Sequence, residues 1–308
     1  MKTAKAKGQD QMTQRIAEPD GGSVALHPKV APFKTQLLKW VGSKQKFAHE
    51  IIAHLPRDFG TYHEPFLGAG GVMAVLAPKR AVGSDLYGPL IDIWQTLSRD
   101  PDLLKDWYRT RWQAFQAGDR VAVYEAIKAR FNAGPNGADF LFLCRSCYGG
   151  VVRFRKSNGH MSTPCGAHPP IPPAAFARRV DMWHQRMRGA SFACLDYREA
   201  MARAEAGDVI YCDPPYSFTQ SILYGAQAFH LPDLFDAIAK AKSRGVRVAL
   251  SIDGTKKSGG TYCDLPLPEG LFEREIMLHV GRSMLRRFQM GGRTMEAEEV
   301  KDRLLLTY

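Results

Sequence analysis

A chain of 308 residues, 45% hydrophobic and 24% charged, has the composition of a globular protein large enough to bury a full core. No apolar run approaches a membrane span and the first 30 residues hold no signal-like apolar stretch, so a cytoplasmic protein is expected, its six scattered cysteines reduced. A net charge of +11 and a pI near 9.4 point to a polyanionic partner, nucleic acid first.

Residues 1–32 are polar and Lys-rich and read as a flexible tail. Order begins at Lys39-Trp40-Val-Gly-Ser-Lys44, followed by helical spacing over 44–55. Trp40 and Lys44 there either sit over a ligand or form a buried Trp beside a Ser-capped helix. The segment Tyr62-His-Glu64-Pro-Phe66-Leu-Gly68-Ala-Gly70-Gly71 predicts a strand, a glycine turn and a helix. Such glycines let the backbone approach a ligand closely, but their spacing is not the dinucleotide fingerprint, which argues against a nicotinamide dehydrogenase. A second strand over 80–83 runs on to Asp85, 17 residues beyond Gly68, where an acid commonly holds ribose hydroxyls.

Residues 91–130 read as mostly amphipathic helix with a turn at Gly118-Asp119. Far more chain then intervenes before the next motif than one strand and two helices require, so a segment is inserted. Within it, residues 154–162 read as a hairpin with Asn158-Gly159 at its tip. Between Cys144 and Arg188 eight Lys or Arg face a single acid, Asp181. Arg145, Arg153, Arg155 and Lys156 interleave with Tyr148 and Phe154, the composition of a surface that grips phosphates and reads bases. Cys144, Cys147, His160 and Cys165 loosely imitate zinc spacing, but the hairpin accounts for the same residues and no metal is expected.

A third strand over 190–195 ends in Asp196-Tyr197, a carboxylate and a ring suited to an adenine. The run Val209-Ile-Tyr-Cys then delivers Asp213-Pro214-Pro215-Tyr216 at a strand end, where ligands bind in open α/β sheets. The two prolines aim the neighbouring carbonyls stiffly. Asp213 and the Pro214 carbonyl can each accept a hydrogen of a ring amino group while Tyr216 stacks on the ring; an Asx-type turn capped by prolines is the plain alternative. A polar loop over 220–230, a helix over 231–243 and strands over 246–252, 272–280 and 303–308 complete the chain.

The order Lys39 to Lys44, Glu64 to Gly70, basic insertion, Asp213 to Tyr216 resembles the Dam-type (D12 class) DNA adenine methyltransferases from about residue 37 to the end. The resemblance implies a Rossmann-like α/β sheet in the order 3-2-1-4-5-7-6, its last strand antiparallel. It also implies S-adenosylmethionine as cofactor and double-stranded DNA as partner, methylated at the adenine amino nitrogen. Residues 33–104 and 189–308 would form the catalytic domain, and 105–188 an inserted, mainly helical target-recognition domain with a hairpin. Position by position, Trp40, Lys44, Glu64, Phe66, Gly68, Gly70, Asp85, Asp196 and Tyr197 fall on the cofactor side, and Lys39 lies near DNA. Family members carry Asn-Arg-x-x-aromatic-Asn-Gly where this chain has Cys144-Arg145-Ser-Cys-Tyr148-Gly149-Gly150, so a GATC target is not implied.

The mechanism expected is in-line transfer to a flipped adenine, with Asp213 accepting a hydrogen bond and offsetting charge on nitrogen, since no His or Lys accompanies it in the motif. Two other readings share the fold: an RNA or protein-glutamine methyltransferase, and a DNA-binding protein without catalysis. An orphan enzyme, a phage enzyme and the companion of a restriction endonuclease look alike at this level, and oligomeric state is not legible.

Overall fold

The computed structural model describes residues 24–215, 229–253, 255–256, 261–262, 266–281 and 300–308. Seven strands form one sheet: β1 (Tyr62–Glu64), β2 (Ala81–Asp85), β3 (Ala190–Cys194), β4 (Val209–Cys212), β5 (Arg247–Asp253), β6 (Arg274–Gly281) and β7 (Val300–Leu306). Their order is β3-β2-β1-β4-β5-β7-β6, and β7 runs antiparallel to both neighbours while the first five are parallel. That is the arrangement the resemblance implies. The central strand β4, Val-Ile-Tyr-Cys, reads as an unbroken apolar run because both of its faces are covered. All of β4 is buried, as are Leu304, Leu305 and Leu306 of β7.

The helix expected over 44–55 is a single 3-10 turn, Lys44–Lys46, followed by α1 (Ala48–Ile52). After α2 (Gly71–Leu76), the long helix expected over 91–130 is three: α3 (Gly88–Arg99), α4 (Pro101–Ala117) and α5 (Arg120–Ala133). The break at Gly118-Asp119 was legible; the one at Asp100-Pro101 was not. Asp100 caps α4 by accepting from the Leu103 amide at 2.9 Å, with Pro101 in the first turn, where a missing N–H costs nothing.

The chain continues with α6 (Gly137–Ser146) and α7 (Pro173–Arg186) before β3, and α8 (Tyr197–Ala202) and α9 (Leu231–Ser243) flank β4 in sequence. Residues between α4 and α7 share the core of the sheet: Tyr108, Phe115, Phe131, Phe140 and Trp183 belong to the same hydrophobic cluster as Tyr62, Trp94 and Leu304. The tail is not free up to residue 32. His27 N donates to Leu55 O at 2.8 Å and Arg57 N to Ala25 O at 2.7 Å, tying residues 25–27 to the chain after α1; residues 1–23 lie outside the described part.

Asp139 of α6 ties α4 and α5 together. Fully buried, it accepts from Arg111 Nε at 2.6 Å and Arg130 Nε at 2.8 Å. Burial pushes its carboxyl up, but the hydrogen bonds from Arg130, Arg111 and Asn136 win and hold it below the ordinary range. Asp139→Ala should lower unfolding free energy by about 3 kcal/mol at neutral pH, because two guanidinium groups lose a buried partner. Urea titration reads this, and a loss below about 1 kcal/mol, the worth of a surface pair, would refute it. The contribution belongs above the ordinary carboxylate pKa and fades as pH falls through the depressed one.

Candidate active site

Strand order reverses between β1 and β4, which pair directly, so their carboxyl ends open a crevice at the switch point. The glycine turn leaves β1 on one side. Gly68 and Gly70 have φ of +48° and +61°, and a Cβ on Gly68 would stand 3.3 Å from Trp40 Cδ1. Asp85, at the end of β2, accepts from Gly68 N at 3.0 Å and from Tyr87 N at 3.1 Å, so it also braces the turn. Burial pushes the Asp85 carboxyl above its ordinary value, against the pull of these amides.

A cavity of about 380 Å³ occupies the crevice. Trp40, Lys44, Glu64, Phe66, Gly68, Asp85, Asp196, Tyr197, Asp213 and Pro215 all line it. Gly70 and Pro214 do not; a Cβ on Gly70 would meet Met187 and Trp94 behind the turn, and Pro214 is buried. Phe66 stacks on Tyr197 with centroids 5.1 Å apart, and Phe229 meets Phe66 edge-on at 6.0 Å. The Tyr197 hydroxyl is buried and finds no hydrogen-bond partner among the described residues. Asp196 caps α8 through Arg198 N at 2.9 Å and pairs with the Arg198 guanidinium at 3.3 Å. Lining residues that the sequence did not mark include Leu86, 72% exposed, and Tyr211, whose hydroxyl lies 2.9 Å from Ser251 Oγ.

Ser43 accepts from Gln45 N at 3.5 Å and Trp40 stacks on Tyr87, so the plain reading of that segment holds in part. Lys44, however, points into the cavity. Its ammonium lies 2.9 Å from Asp213 Oδ1 and 3.4 Å from Asp302 Oδ2, all three side chains being less than one-fifth exposed. Burial would strip its proton, but the two carboxylates outweigh burial and hold its pKa above the ordinary value. The motif itself holds no His or Lys, as read from the sequence, yet Asp213 has a lysine partner from 169 residues away, where a local motif has no view of it. Glu64 is buried beside this group and accepts from Tyr62 Oη and Met73 N, both at 3.0 Å.

The hairpin forms as an antiparallel bridge between Phe154 and Met161, with Arg155 N donating to His160 O at 2.9 Å. Lys39, Tyr148, Arg155 and Lys156 are exposed and Arg153 half-buried, while Phe154 packs on Tyr87 and reaches the cavity wall. Arg145 corrects the reading of the basic segment. It is 5% exposed, donates to Leu37 O at 2.8 Å and lies over the Phe176 ring, so it cannot meet a phosphate. Among the described residues no group of three His, Cys, Asp or Glu could hold a metal; Cys147 and Cys165 face each other across a β-bridge as thiols. Tyr216 and most of the 220–230 loop lie outside the described residues, and among those described no helix is long and apolar enough to cross a membrane.

Residues 40–273 match the model of the D12 class N6 adenine-specific DNA methyltransferases. A DNA adenine methylase of Vibrio cholerae is 30% identical over 244 residues, covering 73% of this chain and 83% of that protein. One from Serratia marcescens is 31% identical over 185 residues, 58% of this chain and 66% of its own. The DNA N-6-adenine-methyltransferase of Escherichia phage P1 is 26% identical over 273 residues, 83% of this chain and 35% of its own. The matched span holds both halves of the crevice, from Trp40 through the glycine turn and Asp85 to Asp213, and the chain belongs to the D12 class N6 adenine-specific DNA methyltransferase family.

Proposed function

We propose that this DNA adenine methyltransferase uses S-adenosylmethionine to methylate the amino nitrogen of an adenine extruded from double-stranded DNA at a short site. The observation that carries the proposal is one cavity lined at once by the glycine turn, the β2 acid Asp85 and Asp213. The donor set fits the cofactor: a half-buried carboxylate for the ribose, the Phe66 and Tyr197 rings for a flat base, and a buried phenol with no partner among the described residues. When bound, S-adenosylmethionine supplies an electrophilic methyl group.

The remaining chemistry is the protein's own. Asp213 accepts from the target amino group and offsets the positive charge that the nitrogen gains on methylation, and Lys44 holds that carboxylate in place. The Pro214 carbonyl takes the second amino hydrogen, and Tyr216, one residue past the cavity-lining Pro215, stacks on the extruded base. Lys39, Tyr148, Arg153, Arg155 and Lys156 form the DNA-facing surface, phosphate contacts fixing register while the aromatic reads the stack. Residues 105–188 serve as the target-recognition part on this view.

Purified protein should transfer labelled methyl to unmethylated DNA and not to RNA or to glutamine-bearing peptides. Long-read sequencing of the product should place every N6-methyladenine within one short motif. Label arriving in RNA or peptide alone, or adenines modified without a shared motif, would refute the reading.

A further inference from the structure

Cys147 and Cys165 stand directly opposite each other in an antiparallel bridge. Tyr148 N donates to Pro164 O at 2.9 Å and Gly166 N to Ser146 O at 2.8 Å, so the backbone hydrogen bonds flank the two cysteines and do not join them to each other. That is the non-hydrogen-bonded position of an antiparallel pair, where opposed Cα atoms come to about 4.5 Å, inside the range a disulfide spans. Gly166 permits the approach, since a Cβ there would stand 2.8 Å from Ser146 O and 3.0 Å from Cys147 O. After burial, these two thiols are what most raises the pKa of the Tyr124 phenol, so both face it from one side.

A bond between them would close the loop that carries Tyr148, Arg153, Arg155 and Lys156, all of the surface assigned to DNA except Lys39. The loop is already ordered. The Thr163 hydroxyl accepts from Arg153 N at 2.8 Å and donates to Val151 O at 2.9 Å, and Ser162 N donates to Arg153 O at 2.9 Å. Each thiol now rests on a carbonyl, Cys147 Sγ 3.8 Å from Cys144 O and Cys165 Sγ 3.6 Å from Gly166 O, and must turn from it to reach the other. Such a bond therefore asks for side-chain rotation and leaves the loop's shape in place. Neither cysteine lines the methyl-transfer cavity.

We propose that Cys147 and Cys165 are a reversible oxidation site that takes a low-molecular-weight disulfide of the glutathione class and closes a staple across the base of the recognition loop. Cys165, half-buried, meets the oxidant: its thiolate attacks one sulfur of the small disulfide, the S–S bond breaks and one small thiol leaves. Cys147, 5% exposed, then attacks the Cys165 sulfur of the mixed disulfide and expels the second small thiol. Two cysteine thiols are oxidised to one disulfide, and one small disulfide is reduced to two thiols. Cys144 is fully buried within α6, out of an oxidant's reach. Burial pushes both reacting thiols above the ordinary value, Cys147 to about 12, so closure is slow at neutral pH and quickens as pH rises. The inference rests on the proposed function only in calling this loop a DNA surface.

The test is incubation of the full chain with oxidised glutathione at about pH 8.5, then peptide mapping without reductant, thermal unfolding, and steady-state methylation of unmethylated DNA. The expected result is a Cys147–Cys165 cross-linked peptide, a melting temperature about 5 °C higher through closure of a loop of this length, and full reversal by dithiothreitol. KM for DNA should stay within about threefold of the reduced protein's, because the loop keeps its shape. Cys165→Ser and, separately, Cys147→Ala should lose both the cross-link and the shift in melting temperature. Cys165 is the less buried, so Cys165→Ser carries the comparison if Cys147→Ala does not fold. Glutathione left on Cys165 as a stable adduct, a bond from Cys147 to Cys144, no cross-link, or a cross-link that does not raise the melting temperature would overturn the proposal. A larger rise in KM would overturn it too, because the loop would then have to open at its base to work. Reduced protein that methylates no DNA would instead sink the proposed function, with the cross-link and melting results still deciding the oxidation site.

Discussion

Asp213→Ala should remain folded, bind DNA within about twofold of the wild type, and lose roughly 100- to 1000-fold in single-turnover methyl transfer, the cost typical of removing one preorganised group that stabilises developing charge. Folding survives because the buried Lys44 ammonium keeps Asp302 as a counter-ion, so no charge is orphaned. Catalysis does not survive, because two things leave together: the acceptor that draws on the amino hydrogens, and the negative charge facing the nitrogen as it becomes positive. Asp213→Asn separates them. The amide retains a carbonyl acceptor at nearly the same place but no charge, so its rate should lie between those of Ala and wild type. Rapid-quench measurement with saturating DNA reads both. Near-normal transfer by a folded Ala variant would remove Asp213 from the mechanism, and equal rates for Asn and Ala would mean that charge, not hydrogen bonding, carries its effect.

The parts of this site legible in the sequence are those whose signal is local. Val209 to Cys212 is an apolar run stopped by an acid and two prolines, and both the strand and its placement at the cavity could be read from those residues. The glycine turn and Asp85 were readable from spacing, and the hydrogen bond from Gly68 N to Asp85 is the physical content of that spacing. The Lys44–Asp213–Asp302 group was not readable, since its members are brought together only by strand order and by the turn before α1. One clue existed: an Asp two residues before three consecutive leucines that finish a buried strand. Arg145 misled for the converse reason. Counting charges treats an arginine as solvated, whereas Phe140 to Cys144 form a wholly buried run that carries Arg145 in with it. The break at Pro101 was hidden by apolar spacing that continues in phase from Leu97 to Leu104, both fully buried.

A large pH effect on stability should come from Glu64. Burial first, then the nearby Asp213, pushes its carboxyl up to about 8, although Tyr62 Oη and Met73 N pull the other way. In the unfolded chain the same group titrates at about 4.3. The folded state therefore holds the proton more tightly, so the stability this gives is complete below the unfolded value and declines through neutrality. It is gone once pH passes about 8. The span corresponds to a loss on the order of 5 kcal/mol at about 1.4 kcal/mol per unit. Glu64→Gln isolates it, because a neutral amide of the same shape cannot titrate. Unfolding free energies of wild type and variant, measured from about pH 5 to 9, should converge and then cross, with the Gln form the more stable at the alkaline end. Parallel curves would show that Glu64 is ionised throughout. A neutral Glu64 also bears on catalysis: carboxylates held close together resist ionising at once, so a proton kept on Glu64 leaves Asp213 as the one that stays charged beside the target nitrogen.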